Sequence, residues 1–375
     1  MPTATAESSR RVTITDVAKR AGVHYTTVSM ALRNHPRLPA TTRERLRALA
    51  EEMGYRPDPV LQALMNYRGQ RKPHRQIATL AYVTKCDTRW GWKQSCPDAE
   101  FFAGASHRAS ELGYEVEHFW LGEPGLTPHR LSVVLHSRGI VGVILASQHH
   151  ESNVPLQFDW AKFSAVKIDS FPHQPGLHHV ANDQFAAIRL VMQRVTAAGY
   201  RRIGLAVPPR CDPGAALAWS AGLAVEQRMM ALADQLPPFI FPDSPPDSTP
   251  HELDHRAARD AFQGWLRRFA PEVLISNGAF ARPQLDALGL SIPRDLAFVD
   301  MHLQQPDGKT AGIRQNCRRV GELSVDLLTR DLQQHALGVP EFPTTTLVEG
   351  TWFDGESLPS RVPAPAETPS LVGSI

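Results

Sequence analysis

From Ile77 onward the chain returns repeatedly to short apolar runs of β type. They are IATLAYV (77–83), YEVEHFW (114–120), IVGVILA (140–146), FSAVKID (163–169), RIGLAV (202–207), FIF (239–241), EVLIS (272–276) and LAFVD (296–300). Between most of them lie stretches with helical spacing, among them 101–112, 185–198, 251–269 and 317–337. A helix between successive strands carries the chain back so that each strand runs parallel to the last. The body is therefore expected to be α/β, and eight strands suit two doubly wound lobes better than one. With 42% hydrophobic and 21% charged residues the chain can fill ordinary cores, which excludes global disorder. The longest apolar stretch, GIVGVILA at 139–146, falls far short of the roughly 18 residues of a membrane span. The opening MPTATAESSRR has no apolar h-region, and Cys86, Cys96, Cys211 and Cys317 form no CxxC pair. A cytoplasmic protein without a disulfide scaffold is the expectation.

Charge is divided unevenly along the chain. Residues 1–75 hold 14 Lys/Arg against 6 Asp/Glu, whereas the remaining 300 hold 26 against 32. A basic head on an acidic body points to a polyanion that meets the head alone. Three short helical patterns fill that head, at 13–21, 25–33 and about 41–53. Thr13 and Asp16 fit a capping box, and Gly22 and Gly54 end the first and third patterns. A helix, a tight turn at Gly22 and a second helix make a helix-turn-helix. The second helix would turn Tyr25, Thr26 and Met30 outward and pack Val23, Val28 and Leu32 inward. Exposed side chains at that N-terminal end are the ones that reach base edges in the major groove. Spacing alone leaves a three-helix protein-binding module as the alternative.

The stretch VTITDVAKRAGVHYTTVSMALRNHPRLPATTRERLRALAEEMGYRPDPVLQAL resembles the headpiece of LacI/PurR-type (lactose and purine repressor) regulators. The strings TITDVAKRAGV–YTTVS and GYRPDPV–L carry the likeness, which extends loosely to about residue 354. The resemblance implies a homodimeric, ligand-responsive transcriptional regulator, a repressor of a near-palindromic operator, with a periplasmic-binding-protein-like body. It places Tyr25, Thr26 and Met30 at base-reading positions, and Thr13, Ser29, Arg33, Arg37, Thr42 and Tyr55 at phosphate-contacting ones. Two departures bear on the operator: Met30 replaces a polar or basic reader, and His24 replaces the usual serine. The segment around 60–65 is too short to hold a helix by itself in water. In the family it folds on DNA, and Leu64 stands where a leucine wedges into the minor groove. Packing of Leu64 on the body is the alternative.

The expected division is a headpiece at 1–58, a hinge and linker at 59–76, a two-lobed core at 77–354 and a Pro/Ser-rich, disordered tail at 355–375. Two α/β lobes place a ligand cleft at the carboxyl ends of their strands. By resemblance Asp183, Asn277 and Gln315 fall at effector-facing positions, and Trp90 and Trp92 follow the first strand, where they would offer faces to a sugar ring. Trp219 and His302 stand where the family often carries an arginine and an aspartate. A less ionic pocket follows, suited to a neutral carbohydrate held by hydrogen bonds and stacking. Asp183 as a helix cap, Asn277 as a turn residue and the tryptophans as packing remain the structural alternatives. HELDH at 251–255 matches a zincin motif that would make a zinc metallohydrolase, with Glu272 as a third ligand. Thr249-Pro250-His251-Glu252 also reads as a helix start, which explains Pro and Glu without a metal. A periplasmic-type solute-binding protein would share the body but has no use for the head. Neither an enzyme nor any metal or cofactor is expected.

Overall fold

The computed structural model describes residues 12–32, 35, 37–55, 78–147, 156–169, 174–208, 217–242 and 255–362. The head is built of α1 (Ile14–Ala21), α2 (Tyr25–Leu32) and α3 (Ala40–Glu52), each within a residue or two of its expected span. Val17, Ala18, Val28, Ala31, Leu46 and Ala50 form its small core. Gly22 sits at φ 67°, the left-handed region in which a side chain is strained, and so closes α1 without penalty.

The body contains two six-stranded sheets. In the first lobe β1 (Ala78–Thr84), β2 (Tyr114–Trp120), β3 (Gly142–Leu145), β4 (Ser164–Ile168), β5 (His178–Asn182) and β11 (Thr345–Val348) lie in the order β11-β5-β4-β3-β1-β2. All five pairings are parallel. Helices α4 (Cys96–Glu111) and α10 (Cys317–Gln334) cover one face, and α5 (Pro128–Ser137) covers the other. The second lobe holds β6 (Ile203–Val207), β7 (Phe239–Ile240), β8 (Val273–Ser276), β9 (Ala297–Asp300), β10 (Ala311–Arg314) and β12 (Thr351–Phe353). Their order is β12-β10-β9-β8-β6-β7, with only β12 antiparallel to its neighbour. Helices α6 (Gln184–Ala197) and α7 (Ala218–Gln227) pack on one face, α8 (His255–Phe269) and α9 (Gly278–Ala287) on the other. Strands β3, β4, β6, β8 and β9 are buried along their whole length, as parallel strands covered on both faces must be.

Two expectations change. The apolar runs account for eight strands, and β5, β10, β11 and β12 are added to them. Residues 355–362, expected in the tail, are also bound to the second lobe. Ser357 is buried, accepts from Ala311 N at 2.9 Å and donates to the Phe298 carbonyl at 2.6 Å. Tyr200 Oη donates to Pro359 O at 2.8 Å, so residues 355–362 are strapped to the second lobe. Backbone pairing, which composition does not report, decides this. HELDH lies outside the described residues except His255, the first residue of α8. Glu272 is taken up by Arg201 N (2.7 Å), Arg202 N (3.0 Å) and Arg361.

Helices α4 and α10 cross at a close approach. A Cβ on Gly104 would stand 1.9 Å from the Arg318 carbonyl oxygen, and one on Gly321 would stand 2.0 Å from that of Phe101. Both obstacles are backbone, so no side chain can yield. Gly104→Ala is therefore expected to destabilise the first lobe by about 1–3 kcal/mol, read as a lower urea midpoint. An unchanged midpoint would show that the helices separate freely.

Candidate functional site

Two surfaces hold the residues singled out above: the outer face of the head and the junction of the lobes. In the head, Thr13 Oγ1 donates to Asp16 Oδ2 at 2.6 Å while Asp16 N donates back to Thr13 Oγ1 at 3.3 Å. This capping box fixes the start of α1. Val23 N then reaches Ala18 O at 3.1 Å, which sets the turn into α2. With Val28 and Ala31 buried against the core, the side of α2 turned from it carries Tyr25, 51% exposed, and Thr26, with Met30 and Ser29 half-buried. Arg37 is exposed, and Thr42 and Tyr55 are half-buried. Thr42 lies in the first turn of α3, an end that no side chain caps. Arg33 and Leu64 lie outside the described residues. Arg43 and Arg47 spend their guanidinium groups on the Leu38 carbonyl (3.0 Å) and the Ala31 carbonyl (3.2 Å), bracing the turn between α2 and α3.

The lobes are joined by three crossings, at 182–184, 314–317 and 348–351. Each leaves the carboxyl end of a strand, so the carboxyl ends of both sheets meet at the junction, where open α/β sheets bind ligands. Asp183 N donates to Val348 O at 2.8 Å, and Asn316 Nδ2 donates to Glu349 O at 2.7 Å, tying the crossings together. Arg314 of the second lobe approaches Glu100 of the first to 3.6 Å. A cavity of about 390 Å³ opens beside these crossings, with Arg314, Gln315, Asn316 and Arg318 in its wall.

On the second lobe one network gathers three of the expected residues. Trp219 Nε1 donates to Gln184 Oε1 at 2.8 Å, and Gln315 Nε2 donates to the same oxygen at 3.3 Å and to Met301 O at 2.9 Å. The rings of Trp219 and His302 are 5.5 Å apart. Asp300 Oδ1 accepts from His302 N (2.8 Å) and Gly278 N (2.9 Å), linking this network to the strand end that carries Asn277. Asp183 and Asn277 are both helix caps, accepting from Ala186 N (2.8 Å) and Ala279 N (3.0 Å). Trp219 is 1% exposed and belongs to the lobe's core, so it touches the junction through Gln184 and His302 and offers no open face.

The first lobe contributes a separate aromatic group. Trp92 is buried between Phe102, Tyr82 and His118, whereas Trp90 is half exposed. Lys93 Nζ lies 4.1 Å from the Trp90 ring centre, and the His118 ring is 5.0 Å away, so neighbours already crowd that indole. Burial, aided by Arg89 and Lys93, lowers the His118 pKa to about 4 and keeps the ring neutral; its Nε2 is 2.7 Å from Thr84 Oγ1. No contact among the described residues brings Trp90 or Trp92 to the Trp219 network.

Asn182, Asp169 and Asp300 escaped the sequence, whereas Gln315 was expected. Asn182 is 6% and Gln315 5% exposed, yet Asn182 Nδ2 and Gln315 Oε1 have no hydrogen-bond partner among the described residues. They leave one open donor and one open acceptor beside the crossings. Asp169, at φ 75° just past β4, accepts from Ser147 Oγ at 2.8 Å. A signal for Asp169 and Asp300 existed: each is the carboxylate that ends an apolar run, FSAVKID and LAFVD.

Residues 13–58 match the family described as "Bacterial regulatory proteins, lacI family". The transcriptional regulator reg1 of Streptomyces lividans is 26% identical over 203 residues, 52% of this chain; the match spans about half of that relative's length, 54%. A solved transcriptional regulator CelR–cellobiose complex has the same fold, at TM-score 0.56 and 22% identity, covering 92% of this chain and all of that one. The maltose regulon regulatory protein MalI of Vibrio furnissii is 54% identical over 140 residues, 37% of this chain and 92% of that protein. At that identity, over nearly all of the relative, and with residues 13–58 matching the family, the chain belongs to the lacI family of bacterial regulatory proteins.

Proposed function

We propose that the chain is a sequence-specific DNA-binding transcriptional regulator, a cytoplasmic homodimer that binds a near-palindromic operator and answers to a saccharide held between its lobes. The observation that carries this is the head. A helix-turn-helix holds Tyr25 and Thr26 exposed at the N-terminal end of its second helix, in the most basic part of the chain. The division into head (1–58), hinge (59–76) and core supports such a role, with Leu64 acting as the minor-groove wedge. Thr13, Ser29, Arg33, Arg37, Thr42 and Tyr55 would meet phosphates. For the ligand, amides and carboxylates cluster at the junction in Asn182, Asp183, Asn277, Asp300 and Gln315, and such groups suit a hydroxyl-rich partner. CelR was solved with cellobiose, and MalI is described as a maltose regulon protein.

The test is selection of bound sites from random DNA, followed by footprinting with and without a panel of neutral sugars. The expected result is a protected pseudo-palindrome whose half-sites lie about one helical turn or a multiple apart, with affinity altered by at least one sugar. Absence of any enriched sequence would overturn the DNA reading. A response to charged metabolites and to no neutral sugar would overturn the saccharide.

A further inference from the structure

We propose that His24 fixes the polarity with which Thr26 reads DNA, so that Thr26 acts only as an acceptor for the exocyclic amino group of adenine or cytosine. The inference rests on the DNA-binding reading above. His24 immediately precedes α2, and its carbonyl accepts from Thr27 N at 2.9 Å, which makes it the residue that caps this helix. Its Nδ1 stands 3.5 Å from Thr26 N, whose hydrogen points at it, and 2.8 Å from Thr26 Oγ1.

A ring nitrogen that accepts from a backbone N–H is the unprotonated one, so the ring proton sits on Nε2. The 2.8 Å contact then has one arrangement that avoids two lone pairs meeting: the Thr26 hydroxyl donates to Nδ1. With its hydrogen directed inward, Thr26 Oγ1 shows only lone pairs to the groove. The Tyr25 ring, 4.5 Å from the imidazole and inclined at 45°, restrains the imidazole from turning away.

A free threonine hydroxyl is an ambiguous reader, because its rotor lets it donate or accept. A serine at the capping position can satisfy the helix end and leave that ambiguity in place. The histidine removes it. In the major groove the donors are adenine N6 and cytosine N4; guanine N7 and O6, adenine N7 and thymine O4 are acceptors that this hydroxyl would repel. His24 is thus a positioning residue for specificity, acting through Thr26.

The experiment uses the full chain and a site selected from random DNA. Thr26→Val, which removes the hydroxyl at nearly constant shape, locates the base pair that Thr26 reads. At that pair, adenine is replaced by purine or cytosine by pyrimidin-2-one, each lacking the amino group; separately, the purine N7 is replaced by carbon. Loss of the amino group should weaken wild-type binding about tenfold, within the range of one base contact, and should not weaken Thr26→Val further. Loss of N7 should have no effect. His24→Ala should free the hydroxyl to donate as well as accept, so that a guanine or thymine in place of the amino-bearing base costs several-fold less than in the wild type, and His24→Asn, whose side-chain oxygen can accept at the helix end in the same way, should restore the full discrimination. Sensitivity to N7 in place of the amino group, full wild-type discrimination against acceptor bases retained in His24→Ala, or no base pair that answers to Thr26→Val would each overturn the proposal. Failure of the wild-type chain to enrich any sequence would instead overturn the DNA-binding reading.

Discussion

Raising salt from 50 to 200 mM is expected to weaken operator binding by about 10³- to 10⁵-fold, the loss associated with release of roughly six to ten phosphate counterions. The head supplies the charge. Lys19, Arg20, Arg37 and Arg45 are exposed, and the proposed dimer would double them. Arg43 and Arg47 belong to another class, since their guanidinium groups already hold backbone carbonyls. Neutralising Arg20 should flatten the slope of affinity against salt without altering the preferred sequence, because a phosphate contact carries no sequence information. Neutralising Arg43 should loosen the turn between α2 and α3 and weaken binding at every salt concentration alike. Titrations at several salt concentrations separate the two. A flat wild-type slope would mean that the basic head serves something other than a polyanion.

How much of this was legible differs by element, for physical reasons. The start of α1 could be read because Thr13 and Asp16 satisfy each other within one turn, a local event that spacing reports. The eight apolar runs could be read because strands buried on both faces need continuous hydrophobic residues. Strands β5 (HHVAN), β10 (AGIR), β11 (TTLV) and β12 (TWF) are three to five residues long and carry His, Asn, Arg and Thr. For β11 the pairing partner also lies far away in the chain: it pairs with β5 in register Thr345↔His179. The crossings leave β5, β10 and β11, and the third enters β12, so the junction was the least legible part of the body. Resemblance located Asp183, Asn277 and Gln315 there but was silent on what each would bond. Asn182, with its open amide donor, had no signal at all.

Trp219 illustrates the same limit and yields a measurable consequence. By the resemblance it stands where an arginine is expected, and an aromatic wall for the ligand is the expectation that its replacement raises. In the structure the indole is buried in the core of the second lobe with Ile188, Val191 and Leu223, and it reaches the junction through its N–H on Gln184 and its contact with the His302 ring. Truncation and polarity can therefore be separated. Trp219→Ala removes a large buried side chain, for which about 3–5 kcal/mol of stability is expected to be lost. Trp219→Phe keeps most of the packing and removes the donor to Gln184, for a loss of about 0.5–1.5 kcal/mol. The Gln184 oxygen that receives Trp219 Nε1 also receives Gln315 Nε2, so losing the first donor loosens Gln184 and with it one of the two bonds that orient the Gln315 amide. A sugar at 100 times its dissociation constant stabilises the native state by roughly 2.7 kcal/mol, readily seen as a melting shift. That shift should shrink in Trp219→Phe, while operator affinity in the absence of sugar stays at the wild-type value. If the phenylalanine variant retains the full shift, Trp219 only fills the core, and ligand orientation falls to Asp300, Asn182 and the caps Asp183 and Asn277.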